Sequence, residues 1–310
     1  MRIVTLVLLL CGYIQISSCG DGNSDKDKSK ADTTSTKSTS STADTSKIDT
    51  ASFLKSHNMT MAPYTDIPAN GSMTVPGTSV YYPVLNMAAG SKLIIPSSYT
   101  NCTIVIGKGS FEANTEIVAD GENGVNGVKP TDEWGRHGFW QAGKGDNGAK
   151  GVNGTDGTFG TDAVQNVKIQ IGLLKLLTLN IHANGGNGGN GGNGGTGQIG
   201  GNKSGPLGSN GNGGPGGDAG SGKRGGNGGN ILVEIWAAGG SIDLPAAMQH
   251  LSVIGSGGNG GKAGSPGQGR EAGNSSGPHG GPGAIGNDGA NGRNAATKIT
   301  VISKPPLPLR

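Results

Sequence analysis

The chain has 310 residues, of which 63 are glycine, with 4% aromatic and 15% charged residues and a formal net charge of +3. Ordinary glycine usage is about 7%, so a conventional apolar core cannot run through the whole chain. So small a net charge gives no electrostatic case for nucleic acid, which is not expected as a partner, or for an anionic surface.

Met1-Arg2 leads into the apolar run Ile3 to Cys11 and the weakly polar stretch Gly12 to Ser18. That is a short basic n-region followed by an h-region of signal-peptide length, too short to cross a bilayer, which takes about 20 apolar residues. Before Cys19 stand Ile16-Ser17-Ser18, a branched apolar residue and two small ones. This arrangement resembles the bacterial lipobox. The resemblance implies a lipoprotein signal peptide over residues 1–18, lipid attachment at Cys19, and a membrane partner reached through that lipid. It places the chain in the bacterial cell envelope, exposed at the surface. Stable anchoring needs more than one acyl chain, and bacterial lipoproteins carry three. Cys11 would leave with the signal, so Cys102 is the remaining thiol and no intramolecular disulfide is expected. In the apolar run Cys102 to Ile106 it reads as a buried structural thiol rather than a nucleophile.

Residues 19–50 are Ser, Thr, Asp and Lys almost without interruption. With nothing to bury, such a segment is expected to stay disordered and to reach about 30 Å as a flexible linker. Residues 51–115 read as short strands. Ser79 to Met87, Lys92 to Ile95, Cys102 to Ile106 and Thr115 to Ala119 are β-branched and aliphatic runs between Gly, Pro, Ser and Asn. Only Pro245 to Leu251 suggests a turn of helix.

Residues 116–302 repeat three times. Apolar strands run into glycine-rich sequence and return to strands, from Ile117 to Ile169, Ile181 to Val233 and Val253 to Ile299. The returning strands align as Val167-Lys168-Ile169-Gln170-Ile171, Ile231-Leu232-Val233-Glu234-Ile235 and Thr297-Lys298-Ile299-Thr300-Val301, each with one apolar face. Within the spans, Gly145 to Gly160, Gly185 to Gly200, Gly205 to Gly220 and Gly277 to Gly292 each hold glycine at every third residue. The phase shifts between blocks and Pro is sparse, which disfavours a collagen rod. A three-residue period fits a polyproline-II-like helix rising about 3.1 Å per residue, so that each leg spans roughly 45 Å. Two legs per repeat give six. The expected fold is mainly β: short antiparallel strands in a sandwich or barrel-like base, carrying about six polyglycine/polyproline-II helices from three glycine-rich repeats. Little or no α-helix is expected after the signal peptide, and residues 303–310 form a Pro-rich tail.

The strand and tract Gly225-Gly226-Asn227-Gly228-Gly229-Asn230-Ile231-Leu232-Val233 resembles the N-terminal Obg-type domain of ribosome-associated GTPases, in which a small β-domain carries six glycine-rich helices. It is also similar to polyglycine-II bundles of phage tail-fibre adhesins and of a springtail antifreeze protein. The resemblance covers about Thr115 to Ile302 and is architectural. No GTPase domain accompanies it, because Gly197 to Ser204 has Asn202 where a phosphate-binding loop requires glycine.

The histidines His57, His137, His182, His250 and His279 lack metal-ligand spacing, and neither a metal nor a cofactor is expected. His182 and His250 abut strands and read as exposed edge residues, and Asp120 with Glu122 as solvated carboxylates. One cluster stands apart, Asp132 to Trp140, with two of the three tryptophans. Trp134, Arg136, His137, Phe139 and Trp140 lie where the first span turns back, and are the candidate binding residues; the alternative is an apolar plug over the bundle edge. No nucleophile, base and orienter assemble, so no enzyme is expected. The expectation is a rigid, non-catalytic, lipid-anchored binding or adhesion scaffold for a cell-surface glycan or protein ligand. A purely structural envelope or matrix protein and an ice-binding protein are the alternatives. Ice binding calls for a row of Thr or small apolar residues on one face, whereas Asn dominates between the glycines.

Overall fold

Alternation with period two puts one face of each strand in the core, and in this chain the apolar faces are gathered by winding rather than by folding back. The computed structural model describes residues 50–131, 145–203, 208–239, 242–270 and 278–303. Its twelve strands are β1 (Thr60–Met61), β2 (Thr65–Ile67), β3 (Ser72–Thr74), β4 (Ser79–Met87), β5 (Lys92–Ile94), β6 (Asn101–Phe111), β7 (Thr115–Val118), β8 (Asn166–Leu176), β9 (Leu179–His182), β10 (Asn230–Ala237), β11 (Leu251–Ile254) and β12 (Thr297–Val301). They form two sheets. The first has the order β1-β4-β6-β8-β10-β12 with β2 also paired to β4, and the second has the order β11-β9-β7-β5-β3.

Every strand pair in both sheets is parallel. The expected antiparallel sandwich or barrel-like base is therefore wrong. The chain makes successive coils, each laying a strand in the first sheet, turning a corner, and laying a strand in the second. The glycine-rich spans link β7 to β8, β9 to β10 and β11 to β12, so each arm leaves the second sheet and returns as the next coil's strand in the first. That connection brings the strand back in the same direction, and parallel pairing follows. The strands that the glycine-rich legs leave from and return to are these two parallel sheets.

Equivalent residues of successive coils stack inside. Ile104 pairs with Ile169, Ile169 with Val233 and Val233 with Ile299. In the second sheet Leu93, Ile117 and Ile181 line up. Apart from Ile299, which is only partly buried in the last strand, these side chains, with Tyr82, Leu85, Met87, Phe111 and Ile171, are almost wholly buried, and burial of each aliphatic one stabilises the fold by about 1.5–3 kcal/mol. The first corners also stack: Asn70 (φ 56°), Gly90 (φ 71°) and Asn114 (φ 57°) hold the left-handed conformation in successive coils. Asn70 N–H donates to Ala89 O at 3.0 Å and Gly90 N–H to Ala113 O at 2.9 Å. Gly and Asn are the residues that tolerate this turn.

Two short helices complete the described residues. In α1 (Thr50–Ser56), Leu54 packs on Tyr81 and Val105 of the first sheet's outer face. The second, α2 (Leu244–Met248), forms the corner between β10 and β11; Asp243 caps it and a proline occupies its first turn. Cys102 faces the core at 1% exposure.

Candidate functional site

The predicted binding residues Trp134, Arg136, His137, Phe139 and Trp140 lie outside the described residues, as does Cys19, the expected lipid-attachment position. What the structure describes is the frame on either side of that segment: six extended legs, over residues 119–131, 145–165, 183–203, 208–229, 255–270 and 278–296.

Backbone hydrogen bonds between the legs recur every third residue, as a threefold extended helix requires. Each leg bonds to the next one antiparallel and to the one after that parallel. Thr155, Thr158 and Thr161 of the second leg donate to Val128, Val125 and Glu122 of the first at 3.2, 2.9 and 2.9 Å. Gly121, Gly124 and Gly127 of the first leg donate to Asn184, Asn187 and Asn190 of the third at 2.8, 2.7 and 2.6 Å. The same pattern continues to the sixth leg, where Gly292 donates to Gly258 of the fifth at 2.8 Å and Arg293 O accepts from Gly228 of the fourth at 2.9 Å. The result is two columns of three legs, cross-linked as a zigzag.

Glycine usage follows from the number of neighbours. The third leg touches the first, second, fourth and fifth and carries two glycines per triplet. A Cβ on Gly189 would lie 2.0 Å from Val125 O, and one on Gly188 would lie 1.8 Å from Lys223 O. The second leg keeps one glycine per triplet. A Cβ on Gly157 would lie 2.2 Å from Gly189 O, while Thr158 and Phe159 beside it are exposed. Among the described residues only Gly90 is a glycine with positive φ, so the leg glycines answer to space and not to torsion.

The remaining triplet position carries a side-chain ladder. Asp120 and Asn184 cap the N–H groups of Asn184 and Ser256 at 2.7 and 3.0 Å. Asn123 and Asn187 cap those of Asn187 and Asn259, both at 2.8 Å. Asn126 and Asn190 cap Asn190 and Lys262 at 2.9 and 2.7 Å. In the other column Asn153 caps Asp218 and Asp218 caps Ala284, each at 2.8 Å. The side-chain oxygen thus takes the one N–H per triplet that the leg-to-leg backbone bonds leave over. Sequence reading missed this role, although Asn123, Asn187 and Asn259 recur at fixed spacings of 64 and 72 residues. Ion pairs join the same column, Lys150 to Asp218 at 2.6 Å and Lys223 to Asp156 at 2.5 Å. The backbone N–H of Ala284, with the Lys150 ammonium, holds the Asp218 carboxyl below the usual carboxylate range.

Where the arms leave the coils, charged groups cluster on the outer face of the second sheet. Lys92 pairs with Glu116 at 2.7 Å, His182 Nδ1 meets both Asp120 oxygens at 2.9 Å, and His182 Nε2 lies 3.8 Å from Glu116. Asp120 also accepts the N–H of Asn184, so it joins the histidine to the root of the third leg. The hydrogen bond to Asp120 raises the His182 pKa above its ordinary value, against the opposing effect of burial. The expectation of an exposed edge histidine beside a solvated carboxylate is corrected, since both are partly buried partners in one clasp. Among the described residues no group of three His, Cys, Asp or Glu side chains could hold a metal ion, and no nucleophile hydrogen-bonds to His182.

Compared with protein families, with curated proteins and with solved structures, the chain matches none.

Proposed function

We propose that this chain is an exported protein of the bacterial cell envelope, anchored by lipid on Cys19 and exposed at the surface, that acts as a rigid, non-catalytic binding or adhesion scaffold. Trp134, Arg136, His137, Phe139 and Trp140 are its contact residues for a cell-surface glycan or protein ligand. The observation that carries this reading is the double linkage of each leg to the next and the next but one. Two non-collinear sets of backbone bonds resist both bending and shear, which suits a part that holds a segment out at a fixed position. The test uses cells expressing the chain. Replacing Cys19 by alanine should abolish incorporation of labelled palmitate and release the protein from membranes. Replacing Trp134 and Trp140 by alanine should abolish adhesion while the protein stays folded and lipidated. Unlabelled wild-type protein, or adhesion unchanged in the tryptophan variant, would count against the corresponding half of the reading.

A second reading, ice binding, is favoured by one exposed row. Thr155, Thr158 and Thr161 lie opposite Val128, Val125 and Glu122 on the first two legs, and Val125 and Val128 are 70% and 66% exposed. A thermal-hysteresis measurement on purified protein decides it, and freezing without hysteresis would remove this alternative.

A further inference from the structure

The first sheet's outer face is only partly covered by α1. Leu54 seals Tyr81 and Val105, and beside this contact remains a cavity of about 350 Å³ lined by Phe53, His57, Met59, Ser79, Thr103, Val105, Lys168 and Gln170. Its floor is fixed by strand register. Ser79, Thr103 and Lys168 form one row across β4, β6 and β8, and Val105 and Gln170 belong to the next. Its wall holds a flat aromatic pair, Phe53 and His57, with ring centres 4.0 Å apart and planes at 22°.

The polar groups of the floor are positioned and incompletely used. Gln170 is 8% exposed and donates through Nε2 to Glu234, whose carboxylate also lies 3.3 Å from the Lys168 ammonium. Among the described residues the hydroxyls of Ser79 and Thr103 and the carbonyl of Gln170 have no hydrogen-bond partner. The Lys168 charge is met by Glu234, so the cavity offers no net field to an anion. It offers donors and acceptors on one side and an aromatic and aliphatic surface on the other. A pyranose ring has the same two faces, a patch of C–H groups and a rim of hydroxyls. The volume lies at the lower end of the range for small-molecule sites, about 300–1,000 Å³.

We propose that the cavity between α1 and β8 binds a hexopyranose unit of a neutral glycan, with Thr103, Lys168 and Gln170 taking its hydroxyls and Phe53 with Met59 its apolar face. None of the lining residues belongs to the Trp134 to Trp140 segment, and the proposal does not rest on the anchor. Loss of adhesion in the tryptophan variant therefore leaves it standing.

The test titrates the full chain, in a detergent without a sugar headgroup, with the methyl glycosides of glucose, galactose, mannose and N-acetylglucosamine, following backbone amide shifts. At least one glycoside should shift the amides of Thr103, Lys168 and Gln170 to saturation. Thr103→Val and Lys168→Met should each weaken that binding roughly tenfold, as loss of one or two hydrogen bonds in a small site does. Lys298→Met, in the same row two strands away, should bind like the wild type. The proposal is overturned if none of the four glycosides moves these amides, if both site variants bind like the wild type, or if Lys298→Met loses binding equally.

Discussion

Asn187 gives its side-chain oxygen to the backbone N–H of Asn259 at 2.8 Å, across 72 residues of sequence, while its own N–H is taken by Asn123 at 2.8 Å. The bond needs an acceptor oxygen and nothing else. Asn187→Ala is expected to lower stability by about 0.5–1.5 kcal/mol, the net value of one hydrogen bond, whereas Asn187→Asp keeps the acceptor and should lie near the wild type. Chemical denaturation of the three proteins checks this, and an equal loss in both variants would assign the effect to something other than the cap.

Glycines in the legs should divide by contact. Gly189→Ala would put a methyl group 2.0 Å from Val125 O, forcing the first and third legs apart at a cost of about 1–3 kcal/mol or more. Gly281→Ala meets nothing within 4 Å and restricts only the unfolded chain, so a gain of up to about 0.4–1 kcal/mol is expected. Calorimetric melting separates the two; a loss at both positions would mean that torsion, not space, sets the glycine requirement.

The His182–Asp120 pair predicts a pH dependence. The folded pKa of His182 is raised above its ordinary 6.5 by the hydrogen bond to Asp120. Protonated histidine therefore favours the folded state, and this contribution is complete below the unfolded pKa and disappears as pH rises through the folded one. The melting temperature should fall between about pH 6.5 and the raised value, and the fall should be absent in His182→Gln. A variant with the same pH profile as the wild type would locate the titration elsewhere.

Cys102 should be inert in the native state. Burial pushes its thiol up to about 11, so at pH 8 almost none is thiolate, and thiolate is the reactive form. Iodoacetamide followed by peptide mapping should find Cys102 unmodified in native protein and fully modified in denaturant. Labelling at equal rates in both states would contradict its place in the core.

The strands were largely legible because β-branched runs between turn residues are a local signal: Ser79–Met87 and Lys92–Ile94 lie where their apolar residues predict them. Even the register could be read, since the runs beginning at Val167, Ile231 and Thr297 align as they pair. Their direction could not. A corner such as Ala88 to Ser91 uses the same Gly and Ser as a hairpin turn, and nothing local distinguishes a chain that reverses from one that winds on. Equal alignment of whole strands was nevertheless the signature of in-register stacking, and reading it that way would have given the parallel sheets. The side-chain ladders were hidden for a related reason. Asn between glycines reads as solubility until the next leg is placed beside it, and Asp120 and His182, well separated in sequence, become neighbours only through the coil.

The zigzag linkage also bears on how such a chain can lengthen. Because one coil and its arm are a single continuous stretch, copying residues 166–229 in tandem would insert two further legs between existing ones. Each new leg would find the backbone partners that the third and fourth legs find now. The terminal legs, with one glycine per triplet, would be left untouched, and the interior would gain only positions already suited to four neighbours. Heredity by duplication is thus open to this architecture without any new contact having to be invented.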